Sequence, residues 1–247
     1  MANYRFGKHP PKSDYRTLRF ANYVTGSLAA PPAAYNVLDR VFAELGTKDP
    51  SVLFPMDGND TLGDCTCAAL AHAITVYRGL VGPRKVIMAE KAVTKLYMHL
   101  TGGVDSGMNE LDVLNYWRQH SVDGDRILGF AAIGPKNHTH VQQAIQLFGG
   151  VYLGFQVQKN AQQEFEQRKP WTPGPLTQDG HAVFATGYDA TGVTVLTWGN
   201  TQKATWAWWD ECVDEAYAIL PSEASKPSFA PGFDIAQLKA DLNDVAS

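Results

Sequence analysis

The order of hydrophobic patterns along the chain is the feature that most limits its fold. Apolar residues recur at helical spacing in the first half, over 35–45, 65–77, 89–100 and 108–117. Strand-like runs follow at 127–133, 151–157, 181–188, 193–198, 205–209 and 215–220, with one helical segment at 139–147. Helices followed by strands predict an α+β architecture in which the two kinds of element form separate layers.

The two ends of the chain differ from its middle. Residues 1–50 begin with a polar, proline-punctuated stretch that we expect to lie extended over the surface, before a helix at 35–45. Residues 221–247 combine a Ser- and Pro-rich linker with a short amphipathic helix. We therefore predict an extended N-terminal segment over 1–50, a main domain over 51–220, and a linker with a C-terminal helix over 221–247.

Composition excludes several classes of function. The 247 residues carry a formal net charge of -4 without a long basic block, so we expect no nucleic-acid partner. No apolar run reaches the length of a membrane span, and no apolar run follows the N-terminal charges as in a secretory signal peptide. The three cysteines cannot build a disulfide framework and suit a reducing compartment. We expect a cytoplasmic protein with no membrane partner, no metal and no cofactor, and the sequence leaves its oligomeric state open.

Cys65 is the first candidate for chemistry. A turn rich in glycine and aspartate, residues 56–64, leads directly into the apolar helix that Cys65 begins. Unpaired N–H groups and the positive end of the dipole at a helix N-terminus favour a thiolate, which is the nucleophilic form of cysteine. A buried structural cysteine would give the same pattern, so this segment alone favours neither interpretation.

His181 is the second candidate. It opens an apolar strand after the Asp179-Gly180 turn, where a side chain can project into a cleft. A lone strand histidine is more often structural. An early helix-start cysteine combined with a late strand-start histidine nevertheless matches a Cys–His site whose nucleophile and base come from different layers.

These segments together resemble the papain-like cysteine peptidases over roughly residues 50–220. Residues 59–65 match the family's Gln-Gly-x-x-Gly-Ser-Cys stretch in frame. Residues 181–183 resemble its His-Ala-Val strand, residues 198–199 its Trp-Gly pair, and residues 215–219 its closing strand.

The resemblance implies a papain-like two-layer fold, in which a helical N-terminal half with the nucleophile helix packs against an antiparallel β-sheet half. It implies that Cys65 is the nucleophile, His181 the base, and Asn59 a donor to the oxyanion together with the Cys65 N–H. It further implies three substrate-binding positions, namely Gly63, Gly180 and Trp198. The substrate would be a peptide or protein, cleaved at a peptide or isopeptide-like amide. The Leu-Gly-Asp-Cys form is similar to small papain-like proteins of bacteria and phages.

The chain departs from the family pattern at the residue that orients the histidine. Leu196 stands where the family has its asparagine, and Asn200 is the nearest amide. We therefore predict a hydrogen bond from His181 to the Asn200 oxygen. An alternative frame would make Cys67 the nucleophile. An alternative function is a catalytically degenerate binding or structural protein on the same scaffold.

Overall fold

A computed structural model of the chain describes residues 4–26, 28–81, 87–222 and 232–246. Its helices are α1 Val37–Leu45, α2 Pro50–Leu53, α3 Cys65–Val81, α4 Glu90–Leu100, α5 Glu110–Gln119, α6 His138–Phe148, α7 Ala161–Glu166, α8 Trp206–Cys212 and α9 Ile235–Ala246. Its strands are β1 Tyr35–Asn36, β2 Ile127–Ala132, β3 Val151–Gln158, β4 Leu176–Asp189, β5 Gly192–Thr197, β6 Asn200–Thr205 and β7 Val213–Pro221. Every helix among these residues is too short or too polar to cross a bilayer.

The strands form an antiparallel sheet in the order β2-β7-β3-β4-β5-β6, with β1 paired to the end of β4. The long strand β4 lies inside this sheet, between β3 and β5. Since side chains alternate along a strand, its apolar residues divide between two cores. Ala182 and Phe184 pack with the helical layer, while Val183 and Ala185 pack on the opposite face.

The helical layer consists mainly of α1, α3, α4 and α5, packed on one face of the sheet, while α6 and α8 cover the other face. Helix α3 is buried along most of its length, in agreement with its many alanines. The predicted α+β architecture, helices of the N-terminal half against an antiparallel sheet, is thus confirmed.

One predicted strand is a helix. We expected 205–209 to be extended and to place Trp206 and Trp208 on one face. Instead β6 ends at Thr205, whose hydroxyl accepts a hydrogen bond of 3.1 Å from the Trp208 N–H and caps α8. A threonine at this position stabilises a helix start, and here capping outweighs the β propensity of the tryptophans.

The N-terminal region is packed more deeply than expected. Phe20 and Tyr23 are buried in the core, and Lys8 is only 4% exposed. Residues 4–9, here called the strap, lie along the cleft between the helical layer and the sheet, with Lys8 buried and with Arg5 and His9 exposed. Of the predicted linker after residue 220, residues 223–231 lie outside the described part of the chain. The domain boundaries at 50 and 220 stay predictions.

Candidate active site

Cys65 is the first residue of α3, as predicted. The preceding turn includes Asp57 and Gly58, both with positive φ, and the Asp105 carboxylate accepts the Gly63 N–H at 2.9 Å. This turn directs the start of α3 toward the sheet. The thiol is 1% exposed, so it is enclosed rather than open to solvent.

His181 lies on β4 and is held by a residue that the sequence analysis did not identify. Its Nε2 is 2.8 Å from the hydroxyl of Thr197, the last residue of β5. The ring also stacks on Trp198, with centroids 4.8 Å apart. When Nε2 donates to Thr197, the Nδ1 lone pair is left as the basic site, and Nδ1 is buried without a hydrogen-bond partner among the described residues.

The predicted bond between Asn200 and His181 is wrong. The Asn200 oxygen instead accepts the N–H of Thr201 at 2.8 Å, at the start of β6. Strand register explains both this and the role of Thr197. Phe184 pairs with Leu196, which therefore points into the helical-layer core, whereas Thr197 points to the other face, which it shares with His181. A hydroxyl directly before Trp198 was the available sequence signal.

Asn59 is buried in a fixed orientation. The indole N–H of Trp198 donates to its oxygen at 3.0 Å, so the amide NH₂ must point the other way. That NH₂ donates to the carbonyl oxygens of Arg5, at 3.1 Å, and Leu62, at 3.2 Å. Asn59 therefore directs its two amide N–H donors away from Trp198, and one of them binds the strap through Arg5.

A small cavity of about 10 Å³, large enough for about one water, brings these groups together. Cys65, His181, Asn59, Thr197 and Trp198 all line it. His72, two turns along α3, lines it too, with Nε2 3.0 Å from the Pro55 carbonyl oxygen. Cys67 does not, and its sulfur lies 4.0 Å from that of Met108. The structure therefore places Cys65, rather than Cys67, beside the histidine.

Burial keeps the thiol and the imidazole uncharged. It raises the pKa of Cys65 to about 12, although hydrogen bonds from the backbone of Ala182 and Gly7 act in the opposite direction. It lowers the pKa of His181 to about 3, to which the neighbouring His72 contributes. Burial also raises the pKa of Asp64 to about 8. In this conformation the pair is a neutral thiol and a neutral imidazole.

The strap lies against the residues that line this cavity. Its backbone bonds both walls of the cleft: Arg5 N–H donates to Asn59 O at 2.9 Å, and Lys8 N–H to Gly180 O at 3.1 Å. Tyr4 stacks on Trp198 at 4.5 Å, and Phe6 meets the edge of the His181 ring at 5.7 Å.

The strap also contacts each position that the resemblance implied for substrate. A Cβ atom at Gly63 would lie 3.0 Å from the Phe6 oxygen, and one at Gly180 would lie 2.4 Å from the Lys8 oxygen. Both glycines therefore allow a peptide backbone to approach closely. Trp198 supplies the aromatic surface on which Tyr4 stacks.

Comparison with known proteins identifies the fold. No protein-family model and no curated protein matches the sequence. Among solved structures, xylellain, a cysteine protease from Xylella fastidiosa, is similar with a TM-score of 0.66 at 16% identity, over 88% of this chain and 96% of that one. The cysteine protease and lectin-like domains of Cwp84, from Clostridium difficile, give a TM-score of 0.60 at 16% identity, over 89% of this chain and 56% of that one. A procathepsin B from Trypanosoma congolense gives a TM-score of 0.56 at 10% identity, over 88% of this chain and 87% of that one. The chain therefore has the fold of the papain-like cysteine proteases.

Proposed function

We propose that this protein is a cysteine peptidase or amide hydrolase whose site is closed by its own N-terminal strap. The observation that carries the proposal is the set of groups around one small cavity. These are the Cys65 thiol at a helix start, the His181 ring hydrogen-bonded to Thr197, and the Asn59 amide in a fixed orientation. Each of these groups has a defined task in acyl transfer.

In the proposed reaction, the Cys65 sulfur attacks the carbonyl carbon of the substrate amide while its proton passes to His181 Nδ1. The imidazolium then protonates the leaving amine, the C–N bond breaks, and a thioester remains on Cys65. Water, deprotonated by His181, attacks the thioester and releases the acid, which restores the thiol. Thr197 positions the ring throughout, because its bond to Nε2 directs Nδ1 to the reacting atoms.

Asn59 supports the developing oxyanion in this proposal. In the closed form its NH₂ already holds a carbonyl oxygen, that of Arg5. Release of the strap frees this N–H for a substrate oxygen beside Cys65. Trp198 keeps the amide in the donating orientation, so little reorganisation is needed when charge develops.

Activity in this proposal requires that the strap leave the cleft. The cavity has no room for a peptide, and the neutral thiol is a poor nucleophile. Withdrawal of the strap lets water reach both groups, which reduces the desolvation that opposes the thiolate–imidazolium pair.

The test uses the full chain carrying Gly7→Ala, a change that disturbs the strap where it packs against Gly63. A Cβ at Gly7 would lie 1.8 Å from the Gly63 carbonyl oxygen. In this background, hydrolysis of a mixed fluorogenic peptide library should be abolished by Cys65→Ala and largely kept by Cys67→Ala. Loss of activity in the Cys67 variant together with retention in the Cys65 variant would overturn the assignment of the nucleophile.

The competing function is a binding or structural protein that has lost catalysis. Its supporting observation is Leu196, which is buried in the core where the family has its asparagine. Reaction of Cys65 with iodoacetamide, described in the Discussion, separates the two. A Cys65 that labels rapidly in the opened chain, together with peptide hydrolysis, supports the hydrolase; an inert Cys65 in an opened, folded chain supports the binding protein.

A further inference from the structure

Lys8 of the strap enters an acidic pocket beside the proposed nucleophile. Its ammonium lies 2.9 Å from a carboxylate oxygen of Asp214 and 2.9 Å from one of Glu215, both on β7. The side chains of Lys8 and Glu215 are 1% and 5% exposed, whereas that of Asp214 is 32% exposed and forms the rim. A full positive charge is thus buried at the inner end of this pocket.

A third carboxylate faces the same space from the opposite wall. Glu110, the first residue of α5, is fully buried, and neither of its oxygens has a hydrogen-bond partner among the described residues. Burial and Glu215 raise the pKa of Glu110, while Lys8 lowers it, so a cation in the pocket is what favours its ionised form. Because a buried carboxylate without a partner is costly, a cation that enters the pocket stabilises the charged form of Glu110.

The pocket has room for a long side chain because its floor is a glycine. A Cβ atom at Gly154, on β3, would lie 1.8 Å from Lys8 Cε and 2.9 Å from a Glu110 oxygen. Any other residue at this position would fill the space that the lysine stem occupies. The floor, the two walls and the rim therefore form a slot open to a side chain that is long and cationic.

The pocket is next to the Cys65 sulfur, because the strap residue that fills it directly follows the residue that contacts the sulfur. Lys8 follows Gly7, whose backbone hydrogen-bonds the Cys65 sulfur. The strap is extended here and pairs with the cleft as a bound peptide would: His9 N–H donates to Met108 O at 3.0 Å, and Met108 N–H to Gly7 O at 2.8 Å. A substrate on the same walls would place a side chain in the position of Lys8.

Anchoring of the strap does not by itself explain why this pocket is lined by acidic residues. A buried ion pair adds little net stability compared with apolar residues of the same volume, so a leucine in an apolar slot would hold the strap equally well. Once the strap leaves, the carboxylates of Glu110 and Glu215 stay in the cleft wall without their cation. Burial raises the pKa of both carboxyls, and a second cation in the pocket would again favour their charged forms.

We propose that Glu110, Glu215 and Asp214 form a specificity pocket that binds a lysine or arginine side chain of the substrate next to the scissile bond. This inference rests on the proposed hydrolase function, because it calls the bound peptide a substrate. Binding of the cationic side chain itself needs no catalysis. Lys8 occupies the pocket as an internal stand-in for that side chain.

Binding is tested in the full chain with Gly7→Ala, Lys8→Ala and Cys65→Ala, which disturbs the strap, empties the pocket and removes the thiol. The probe is a fluorescent peptide copy of residues 4–9, compared with the same peptide carrying norleucine in place of lysine. Anisotropy titration should give a Kd about 10- to 100-fold lower for the lysine peptide, the range for charged hydrogen bonds in a buried site. Equal values, or no binding of the lysine peptide, would overturn the pocket.

A second comparison identifies the groups responsible. Glu215→Gln keeps the shape of the side chain and removes its charge, and should reduce the preference for lysine over norleucine about 10-fold or more. Glu211→Gln is the matched control, because Glu211 is exposed on α8. Circular dichroism verifies folding of each variant. The inference fails if Glu211→Gln lowers the preference as much as Glu215→Gln does.

Kinetics in the Gly7→Ala, Lys8→Ala chain then separate this inference from the proposed function. The peptides place Lys, Arg, Leu or Glu in turn at each position flanking a scissile amide. The kcat/KM should be about 10- to 100-fold higher for Lys and Arg than for Leu at one position, and lowest for Glu. Hydrolysis without this preference refutes the pocket and keeps the hydrolase. Selective binding without hydrolysis refutes the hydrolase and keeps the pocket.

Discussion

A methyl group at Gly7 is expected to open the strap and make Cys65 reactive. The added Cβ would lie 1.8 Å from the oxygen and 2.4 Å from the carbonyl carbon of Gly63, and no rotamer change can move these backbone atoms. Forcing extra atoms into a well-packed site costs about 1–3 kcal/mol. An equilibrium between closed and open strap then shifts toward the open form by about 5- to 150-fold.

The assay is the rate of carbamidomethylation of each cysteine by iodoacetamide near neutral pH, read by peptide mass spectrometry. Because Cys65 is 1% exposed in the closed form, its labelling proceeds through the open form and should accelerate by the same factor. Cys67 and Cys212 are also buried, and they serve as internal references.

The matched control is Gly26→Ala, an addition in the same N-terminal region whose Cβ meets nothing within 4 Å. It should label at the rate of the unmodified chain. If Gly7→Ala and Gly26→Ala label Cys65 equally, the strap is not what protects the thiol. If Cys67 and Cys212 accelerate in parallel with Cys65, the change reports unfolding, and the reasoning from a local clash is refuted.

Three further substitutions test individual groups. In the Gly7→Ala chain, Asn59→Ala should lower kcat by about 10²–10³ with little change in KM, the usual effect of losing one oxyanion donor; an unchanged kcat would remove Asn59 from the mechanism. Thr197→Val leaves the bound ring nitrogen of His181 without a partner and should lower kcat about 5- to 150-fold, while Thr197→Ser restores most of it; equal rates for Val and Ser would show that the hydroxyl does not position the ring. The Asp64 carboxyl keeps its proton to about pH 8 when folded but loses it near 3.8 when unfolded, so the folded state binds one more proton and stability falls as pH rises through this window. Asp64→Asn should therefore gain stability over the unmodified chain by up to about 1.4 kcal/mol per pH unit between pH 4 and 8 in urea titrations, and a difference that does not change with pH would contradict the shifted pKa.

The sequence predicted those features that arise from local pattern. Helical spacing after a glycine-rich turn identified Cys65 as a helix start, and the apolar run after Gly180 identified the strand that carries His181. His181 does not open that strand as predicted, because β4 begins earlier, at Leu176. Periodicity and turn chemistry are properties of neighbouring residues, so they can be read from the chain itself. The misassigned segment at 205–209 shows the limit, since Thr205 can equally continue a strand or cap a helix.

Other features depended on which residues the tertiary structure brings together. Leu196 and Thr197 are adjacent in sequence, and only the register of β5 against β4 decides which of them shares a face with His181. The acidic pocket brings Glu110 together with Asp214 and Glu215 around Lys8 of the strap, and these three segments lie far apart in the chain and carry no motif. What the sequence determined by itself was most of the elements and the two candidate residues, Cys65 and His181. Strand pairing and the path of the strap decided the partners of these residues, because long-range contacts leave no periodic trace in the sequence.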